Sequence, residues 1–174
     1  MLKISPIPAL QDNYIWAIHG RSDTVVIVDP GEAEPVLAFL KQTGLKLTAI
    51  LCTHRHRDHV GGIEELRGVY NVPVYGRRHP DNPHITHALQ EQDRLTLPDI
   101  PVEFEIWELP GHLVDHIAFV TQGAVFSGDI LFGAGCGKNF EGSPEQLYQS
   151  LQRLASLPDD TLVYCAHEYT EYTL

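Results

Sequence analysis

Apolar and polar positions alternate along the first third of the chain in blocks of changing period. Residues 14–18 and 24–28 are short, apolar and rich in β-branched side chains, a pattern typical of strands. Residues 32–43 carry apolar side chains at helical spacing and are followed by Gly44, a residue that commonly ends helices. Residues 47–52 are almost continuously apolar, which predicts a strand buried on both faces.

The same alternation continues to the C-terminal end. The pattern predicts helices over 63–69 and from Ser143 onward, strands over 72–75, 95–97, 102–109 and 161–165, and a hairpin of 117–120 with 124–127. Residues 77–87 are rich in Pro, Asn and His and predict a loop. Strands followed by helices through both halves predict an α/β protein, and 174 residues suit one domain over 1–174.

The charge balance narrows the range of partners. Lys and Arg total 12 against 23 Asp and Glu, a formal net charge of -11. Such a surface repels phosphate backbones and anionic lipids, so we expect neither nucleic acid nor a membrane as partner. The start of the chain lacks the apolar region of a signal peptide, and no run approaches bilayer-spanning length. We therefore expect a cytoplasmic protein acting on a small molecule, as a monomer.

The three cysteines are scattered without CxxC spacing. An odd, unpatterned set argues against a disulfide framework and fits a reducing compartment. Cys52 and Cys165 lie in apolar stretches, and we expect them to be small buried side chains rather than metal ligands.

Histidine and aspartate side chains cluster where predicted strands end. Polar groups at the ends of several neighbouring strands converge at one edge of a sheet, where α/β proteins build their sites. The first cluster follows the strand over 47–52, and three later residues each follow a different strand. The candidate metal ligands are His54, His56, Asp58, His59, His112, Asp129 and His167.

The spacing within the first cluster has a physical reason. His54 and His56 are two residues apart, so in extended backbone both imidazoles project to the same side. A turn at Arg57 then lets Asp58 and His59 face a second position. Imidazole and carboxylate ligands suit zinc, with iron or manganese as alternatives. Two such ions about 3.5–4 Å apart would share a bridging carboxylate and lower the pKa of a bound water towards roughly 7.

The other histidines carry less information. His116 either orients a ligand from outside the metal shell or simply packs, and both interpretations stay open. The remaining histidines are expected on the surface or in loops: His19, His79, His84 and His87.

Residues 53–62 read THRHRDHVGG and resemble the THxHxDHxGG signature of the metallo-β-lactamase superfamily. Residues 110–112 (PGH), 127–129 (SGD) and 165–170 (CAHEYT) resemble its later metal motifs in the same order. The resemblance covers nearly the whole chain. It implies an αββα sandwich, with two packed sheets and helices on the outside.

Within that superfamily the chain resembles the glyoxalase II (hydroxyacylglutathione hydrolase) family. The similarity lies in residues 10–14 (LQDNY), 28–31 (VDPG), 135–142 (GCGKNFEG) and 167–170 (HEYT). It implies hydrolysis of S-D-lactoylglutathione and related S-(2-hydroxyacyl)glutathiones to glutathione and a 2-hydroxy acid, a step of methylglyoxal detoxification.

The same resemblance implies a role for each site residue. One metal would take His54, His56 and His112, the other Asp58, His59 and His167, and Asp129 would bridge them. Asp58 would also orient the attacking hydroxide as a catalytic residue. Lys138 and Tyr169 match positions that hold glutathione, whose carboxylates need a cationic partner. Phe140 stands where some members carry Tyr, so its contact would be apolar.

The chain departs from the family pattern at two places. Residues 110–116 read PGHLVDH instead of PGHTxGH, so Leu113 removes a hydroxyl and Asp115 adds a carboxylate near the metals. The family also continues beyond HEYT into a helical domain that helps to hold glutathione, whereas this chain ends at Leu174.

Two other functions stay open at this point. A persulfide dioxygenase of the same fold would use one iron held by two His and one Asp, whereas the full second ligand set here favours two metals. A catalytically weak metal-binding domain would bind metal without thioesterase turnover. Lactonase or β-lactamase activity is also compatible with a fold that hosts many hydrolyses.

Overall fold

The computed structural model of the chain describes residues 2–174, and Met1 lies outside it. The strands are β1 (Ile4–Ala9), β2 (Asn13–His19), β3 (Thr24–Val28), β4 (Lys46–Leu51), β5 (Val74–Gly76), β6 (His87–Ala88), β7 (Arg94–Thr96), β8 (Glu103–Glu108), β9 (Ile117–Thr121), β10 (Ala124–Gly128), β11 (Leu131–Phe132), β12 (Gly135–Cys136) and β13 (Leu162–Cys165). The helices are α1 (Ala33–Thr43), α2 (Arg57–Val60), α3 (Ile63–Val69), α4 (Pro144–Ala155) and α5 (Thr170–Thr173).

The strands form two main sheets and a small ribbon. One sheet has the order β1-β2-β3-β4-β5-β6, the other has the order β13-β10-β9-β8-β7, and β11 pairs with β12. Strands β1, β2 and β3 pair antiparallel in order, and β3, β4, β5 and β6 run parallel to one another. In the second sheet, β7, β8, β9 and β10 form an antiparallel meander. Strand β13 returns parallel to β10 after helix α4.

Three buried clusters separate four layers of structure. Val25 and Ile27 of β3 pack under α1 and α3, whereas their neighbour Val26 faces the second sheet. Phe119 and Phe126 fill the space between the two sheets from the other side. The third cluster lies between the outer face of the second sheet and α4. This alternation, dictated by the two-residue period of strands, confirms the predicted αββα sandwich.

Most predicted elements are present, with ends shifted by one or two residues. Helix α4 begins as predicted: Ser143 accepts a hydrogen bond from the Gln146 amide, and the Gln146 side chain accepts one from the Ser143 amide. The first strand was not predicted, because Pro6 and Pro8 interrupt its pattern. Strand β1 tolerates both because it is an edge strand that pairs only with β2.

The strand directions bring the candidate site together. Strands β8 and β10 run the same way because each pairs antiparallel with β9, and β13 runs parallel to β10. The segments after all three strands therefore leave the second sheet at one end. A backbone hydrogen bond from the Ile117 amide to the Thr53 carbonyl (2.9 Å) joins this end to the segment after β4. No helix within residues 2–174 has the length and apolar character needed to cross a bilayer.

Candidate metal centre

All seven candidate ligands predicted from the sequence lie together at this end of the sandwich. Their ligand atoms fall into overlapping groups within which every atom lies within 4.8 Å of the others. Two of these groups correspond to the two ligand sets implied by the family resemblance. One contains His54, His56, His112 and Asp129, and the other contains Asp58, His59 and His167.

The three histidines of the first group lie on two loops, one from each sheet. His56 Nδ1 lies 3.1 Å from His54 Nε2 and 2.9 Å from His112 Nε2. Ligand nitrogens of a tetrahedral zinc site are separated by about 3.3 Å, given Zn–N bonds of about 2.05 Å. Three imidazole nitrogens at this spacing suit a common cation better than they suit one another, since two acceptor nitrogens repel unless a proton lies between them.

The second group combines the short helix α2 with the segment after β13. Asp58 Oδ2 lies 3.2 Å from His59 Nε2 and 3.3 Å from His167 Nε2. The helical turn at Arg57–Val60 rotates Asp58 and His59 away from the direction of His54 and His56. This is the change of direction that the sequence predicts at Arg57.

Asp129 faces both groups with different oxygen atoms. Its Oδ2 lies 3.4 Å from His112 Nε2 and 3.8 Å from His54 Nε2. Its Oδ1 lies 3.4 Å from both His59 Nε2 and His167 Nε2. One carboxylate with an oxygen towards each ligand set is the arrangement that a bridge between two cations requires.

The charges of this centre also suit cations. Burial would raise the pKa of the Asp129 carboxyl, but the facing His59 and His167 outweigh burial and hold that pKa well below its usual value. Burial would lower the pKa of His167, whereas the facing carboxylates of Asp129 and Asp58 raise it to about 10. Among residues 2–174, the buried atoms His59 Nε2 and Asp129 Oδ1 have no hydrogen-bond partner. Carboxylates that stay ionised beside unpartnered nitrogen and oxygen atoms fit a divalent metal site.

A ring of further groups fixes the imidazole orientations, and the sequence predicted this positioning role for none of them. Four histidines direct Nε2 to the centre and bind an outer partner through Nδ1, which sets their tautomer and rotation. The Nδ1 pairs are His54 with Thr53 Oγ1 (3.0 Å), His59 with Asp29 Oδ2 (3.1 Å), His112 with the Lys138 carbonyl (2.8 Å) and His167 with Asp12 Oδ1 (2.8 Å). Asp12 belongs to the LQDNY segment and Asp29 to the VDPG segment. The resemblance of these two segments to the family was the sequence feature that could have indicated their role.

His116 acts on the centre through the backbone. It is fully buried, and its Nε2 accepts a hydrogen bond from the Asp129 amide (3.1 Å). Burial lowers the pKa of His116 to about 3, so the ring stays neutral and able to accept. Its ring also stacks on His54 at 4.8 Å between centroids. Of the two interpretations left open by the sequence, the contacts favour orientation of a ligand.

Substitution of Gly128 tests this packing. Gly128 has φ 51°, and a Cβ there would lie 2.5 Å from Thr53 Oγ1 and 2.6 Å from His116 Nε2. We expect Gly128→Ala to displace Thr53 and His116 and to destabilise the fold by about 2–4 kcal/mol, through both steric overlap and the left-handed backbone. Thermal unfolding measures this, with Gly123→Ala as control, since Gly123 also has positive φ but has nothing within 4 Å of the added Cβ. Equal melting temperatures for both variants would contradict the steric argument.

Comparisons with known proteins agree with this geometry. A profile of the metallo-beta-lactamase superfamily matches residues 10–167. The hydroxyacylglutathione hydrolase of Nitrosomonas eutropha is 50% identical over 170 residues, covering 98% of this chain and 66% of its own length. That of Pseudomonas fluorescens is 49% identical over 176 residues, covering 100% of this chain and 68% of its own length. The chain belongs to the metallo-beta-lactamase superfamily and, within it, to the hydroxyacylglutathione hydrolase family. It spans about two thirds of the length of these relatives.

Solved structures show the same fold. The crystal structure of BLEG-1 B3 metallo-beta-lactamase has a TM-score of 0.86 at 26% identity and covers 95% of this chain and 92% of its own. TTHA1623 in a di-iron-bound form has a TM-score of 0.81 at 32% identity, covering 94% of this chain and 92% of its own. As a member of this superfamily with clustered His and Asp side chains, the chain carries a divalent metal site.

In this chain of the hydroxyacylglutathione hydrolase family, a cavity of about 400 Å³ opens beside the metal centre. His56, Asp58 and other candidate ligands form its floor, and its walls include the three residues that the resemblance assigned to glutathione, Lys138, Phe140 and Tyr169. The Tyr169 ring stacks on the His167 ring at 4.8 Å, and the Phe140 ring meets the edges of His56 and His112. The expected substrate residues thus lie next to the expected ligands.

Proposed function

We propose that this chain hydrolyses S-(2-hydroxyacyl)glutathione thioesters, such as S-D-lactoylglutathione, to glutathione and a 2-hydroxy acid. Curated relatives at 49–50% identity carry the name hydroxyacylglutathione hydrolase. The observation that carries the proposal is the placement of Asp129, whose two oxygens face two separate ligand sets on the floor of an open cavity. A site for two divalent ions beside room for a thioester suits hydrolysis.

The residues fit two ions, which we propose to be zinc, with iron or manganese as alternatives. His54, His56 and His112 would hold one ion, Asp58, His59 and His167 the other, and Asp129 both. When bound, such ions supply Lewis acidity towards the thioester carbonyl and a water of lowered pKa. The di-iron form of the related TTHA1623 supports a count of two and makes metal identity a quantity to measure.

The chain's own side chains would orient the reactants. The Asp58 side chain is 38% exposed and lines the cavity, and Asn13 Nδ2 donates to its Oδ2 at 3.1 Å. Asp58 is thereby fixed in rotation and would orient the attacking water by accepting its proton in a hydrogen bond. The thiolate of glutathione is a good leaving group, so the chain needs no strong general acid.

Glutathione would lie along the wall formed by residues 137–142. Lys138 is exposed, and its Nζ lies 5.1 Å from the centre of the Phe140 ring. A cation held over an aromatic face keeps its remaining donors free for the carboxylates of glutathione. Tyr169 would close the opposite wall.

The proposal further includes a monomer in the cytoplasm without nucleic acid or membrane partners. All proposed ligands and substrate contacts come from one chain, and the net charge of -11 disfavours phosphate polymers.

Chelation tests the proposed activity. Complete removal of metal is expected to leave less than about 1% of thioester hydrolysis, because no Lewis acid remains to lower the pKa of water. Zinc, iron or manganese added back should restore turnover. Elemental analysis should give about two equivalents per chain. Full activity after verified metal removal would contradict the proposal, and a single iron with oxygen consumption would favour the dioxygenase instead.

A further inference from the structure

Arg55 lies inside the metal-binding segment but points its guanidinium away from the ligand sets. Its Nη1 donates to Asp115 Oδ1, and its Nη2 donates to Glu141 Oε1. Its Nε lies 3.9 Å from the exposed Asp81. The side chains of Arg55 and Asp115 are 10% and 11% exposed, so this pair is largely shielded from water, whereas Glu141 is 35% exposed. One guanidinium therefore joins three other loops to the segment after β4.

Asp115 belongs to the segment 110–116, which departs from the family pattern, and it was expected to add a carboxylate near the metals. Within residues 2–174, none of the groups of side chains able to hold a metal includes Asp115. The Asp115 carboxylate forms an ion pair with Arg55 instead. Asp115 therefore does not add to the metal ligand sets the carboxylate that the sequence had led us to expect.

Glu141 connects this ion pair to the wall of the cavity. It lies in segment 137–142, between Phe140 and Gly142, and its second oxygen is 3.4 Å from the Val114 amide, which donates to it. The same segment is joined to the loop after β8 by the Phe140 amide to the His112 carbonyl (3.1 Å) and the Gly142 amide to the Gly111 carbonyl (3.2 Å). Segment 137–142 is thus bound to the metal loops at successive positions.

The guanidinium of Arg55 does not line the cavity beside the metal centre. Each terminal nitrogen donates to one carboxylate, and the planar fork holds the two acceptors in a defined relative position. Without it, Asp115 and Glu141 would be like charges with no cation between them, and segment 137–142 would move away. Arg55 therefore acts on the cavity by positioning rather than by contact.

We propose that Arg55, paired with Asp115 and Glu141, is a positioning residue that fixes segment 137–142 and so sets where Lys138 and Phe140 meet the glutathione part of the substrate. The inference rests on the proposed function for the identity of the substrate. The position of the segment itself does not depend on that function.

Arg55→Gln tests the proposal in the full chain. We expect the KM for lactoylglutathione to rise at least about tenfold with kcat within about threefold of wild type, because ground-state binding is lost while the reacting centre is kept. For a lactoyl thioester of a small neutral thiol, kcat/KM should stay unchanged, since that substrate does not reach Lys138. Glu141→Gln should raise KM as well, and the double variant should resemble Arg55→Gln alone, because both changes break one interaction.

Arg57→Gln is the matched control, since it removes the same charge from an exposed position two residues along. Hydrogen exchange at the Phe140 and Gly142 amides gives a readout that does not need activity. It should quicken at least about tenfold in Arg55→Gln and stay at the wild-type rate in Arg57→Gln. If wild type fails to hydrolyse lactoylglutathione, the proposed function fails, and the exchange rates still decide on the positioning role. Unchanged exchange in Arg55→Gln, or equal losses on both thioesters, would overturn it.

Discussion

Asp129→Ala is expected to lower kcat/KM for lactoylglutathione by about 10⁴-fold and to reduce the metal content below that of wild type. The reason is the double orientation of this one side chain. Its Oδ2 faces His54 and His112, and its Oδ1 faces His59 and His167, so alanine removes a ligand from both sets at once. The effect should exceed the roughly 10–100-fold losses typical of residues that only orient a ligand.

Asp129→Asn provides the graded comparison. Asparagine keeps the volume and one oxygen, so it can serve one ligand set but presents an amide group to the other. We expect it to keep more metal than Asp129→Ala and to be less active than wild type by about 10²–10³-fold. Steady-state kinetics with elemental analysis of the same samples measures both. Wild-type metal content and turnover in Asp129→Ala would mean that the two ligand sets do not share this carboxylate.

The sequence could predict the layers because burial controls the spacing of apolar residues. The continuous apolar run of β4 and the alternation along β8 reflect whether one or both faces of a strand are covered. Strand β1 escaped prediction since its two prolines mimic a loop, and only its edge position makes them acceptable. Short elements such as α2 and the β11–β12 ribbon depend on the local course of the chain around the site rather than on a periodic pattern.

The candidate ligands could be predicted because each follows a strand end, and strand ends meet. Their outer partners could not, since the pairing of Asp29 with His59 depends on β3 and β4 being parallel neighbours in register. The same holds for Arg55 and Asp115, which lie 60 positions apart and meet only once both sheets have formed. A hydrogen bond between residues far apart in the chain produces no periodic pattern in a single sequence. The ligand assignment itself stays a prediction until metal is measured.

Asp29→Ala is expected to give the largest loss of stability at a residue outside the ligand sets. Asp29 is buried and accepts three hydrogen bonds: from the Thr53 amide (2.8 Å), the Thr53 hydroxyl (2.6 Å) and His59 Nδ1 (3.1 Å). Alanine leaves all three donors without an acceptor, at about 1–3 kcal/mol each, and also occupies the left-handed backbone at φ 51°. A total of about 3–9 kcal/mol should lower the melting temperature by about 6 °C or more in a chain of this size.

The measurement is made on metal-free protein, so that loss of metal does not add to the change. In a separate titration, metal affinity should fall about 10–100-fold, because His59 loses the partner that sets its tautomer. Asp29→Asn should lie between wild type and alanine, since one oxygen can still accept while the amide faces a donor. Asp23→Ala removes an exposed carboxylate paired with Lys46 and should leave the melting temperature close to wild type. If Asp29→Ala has the same melting temperature as Asp23→Ala and the same metal affinity as wild type, His59 does not need this carboxylate for its orientation.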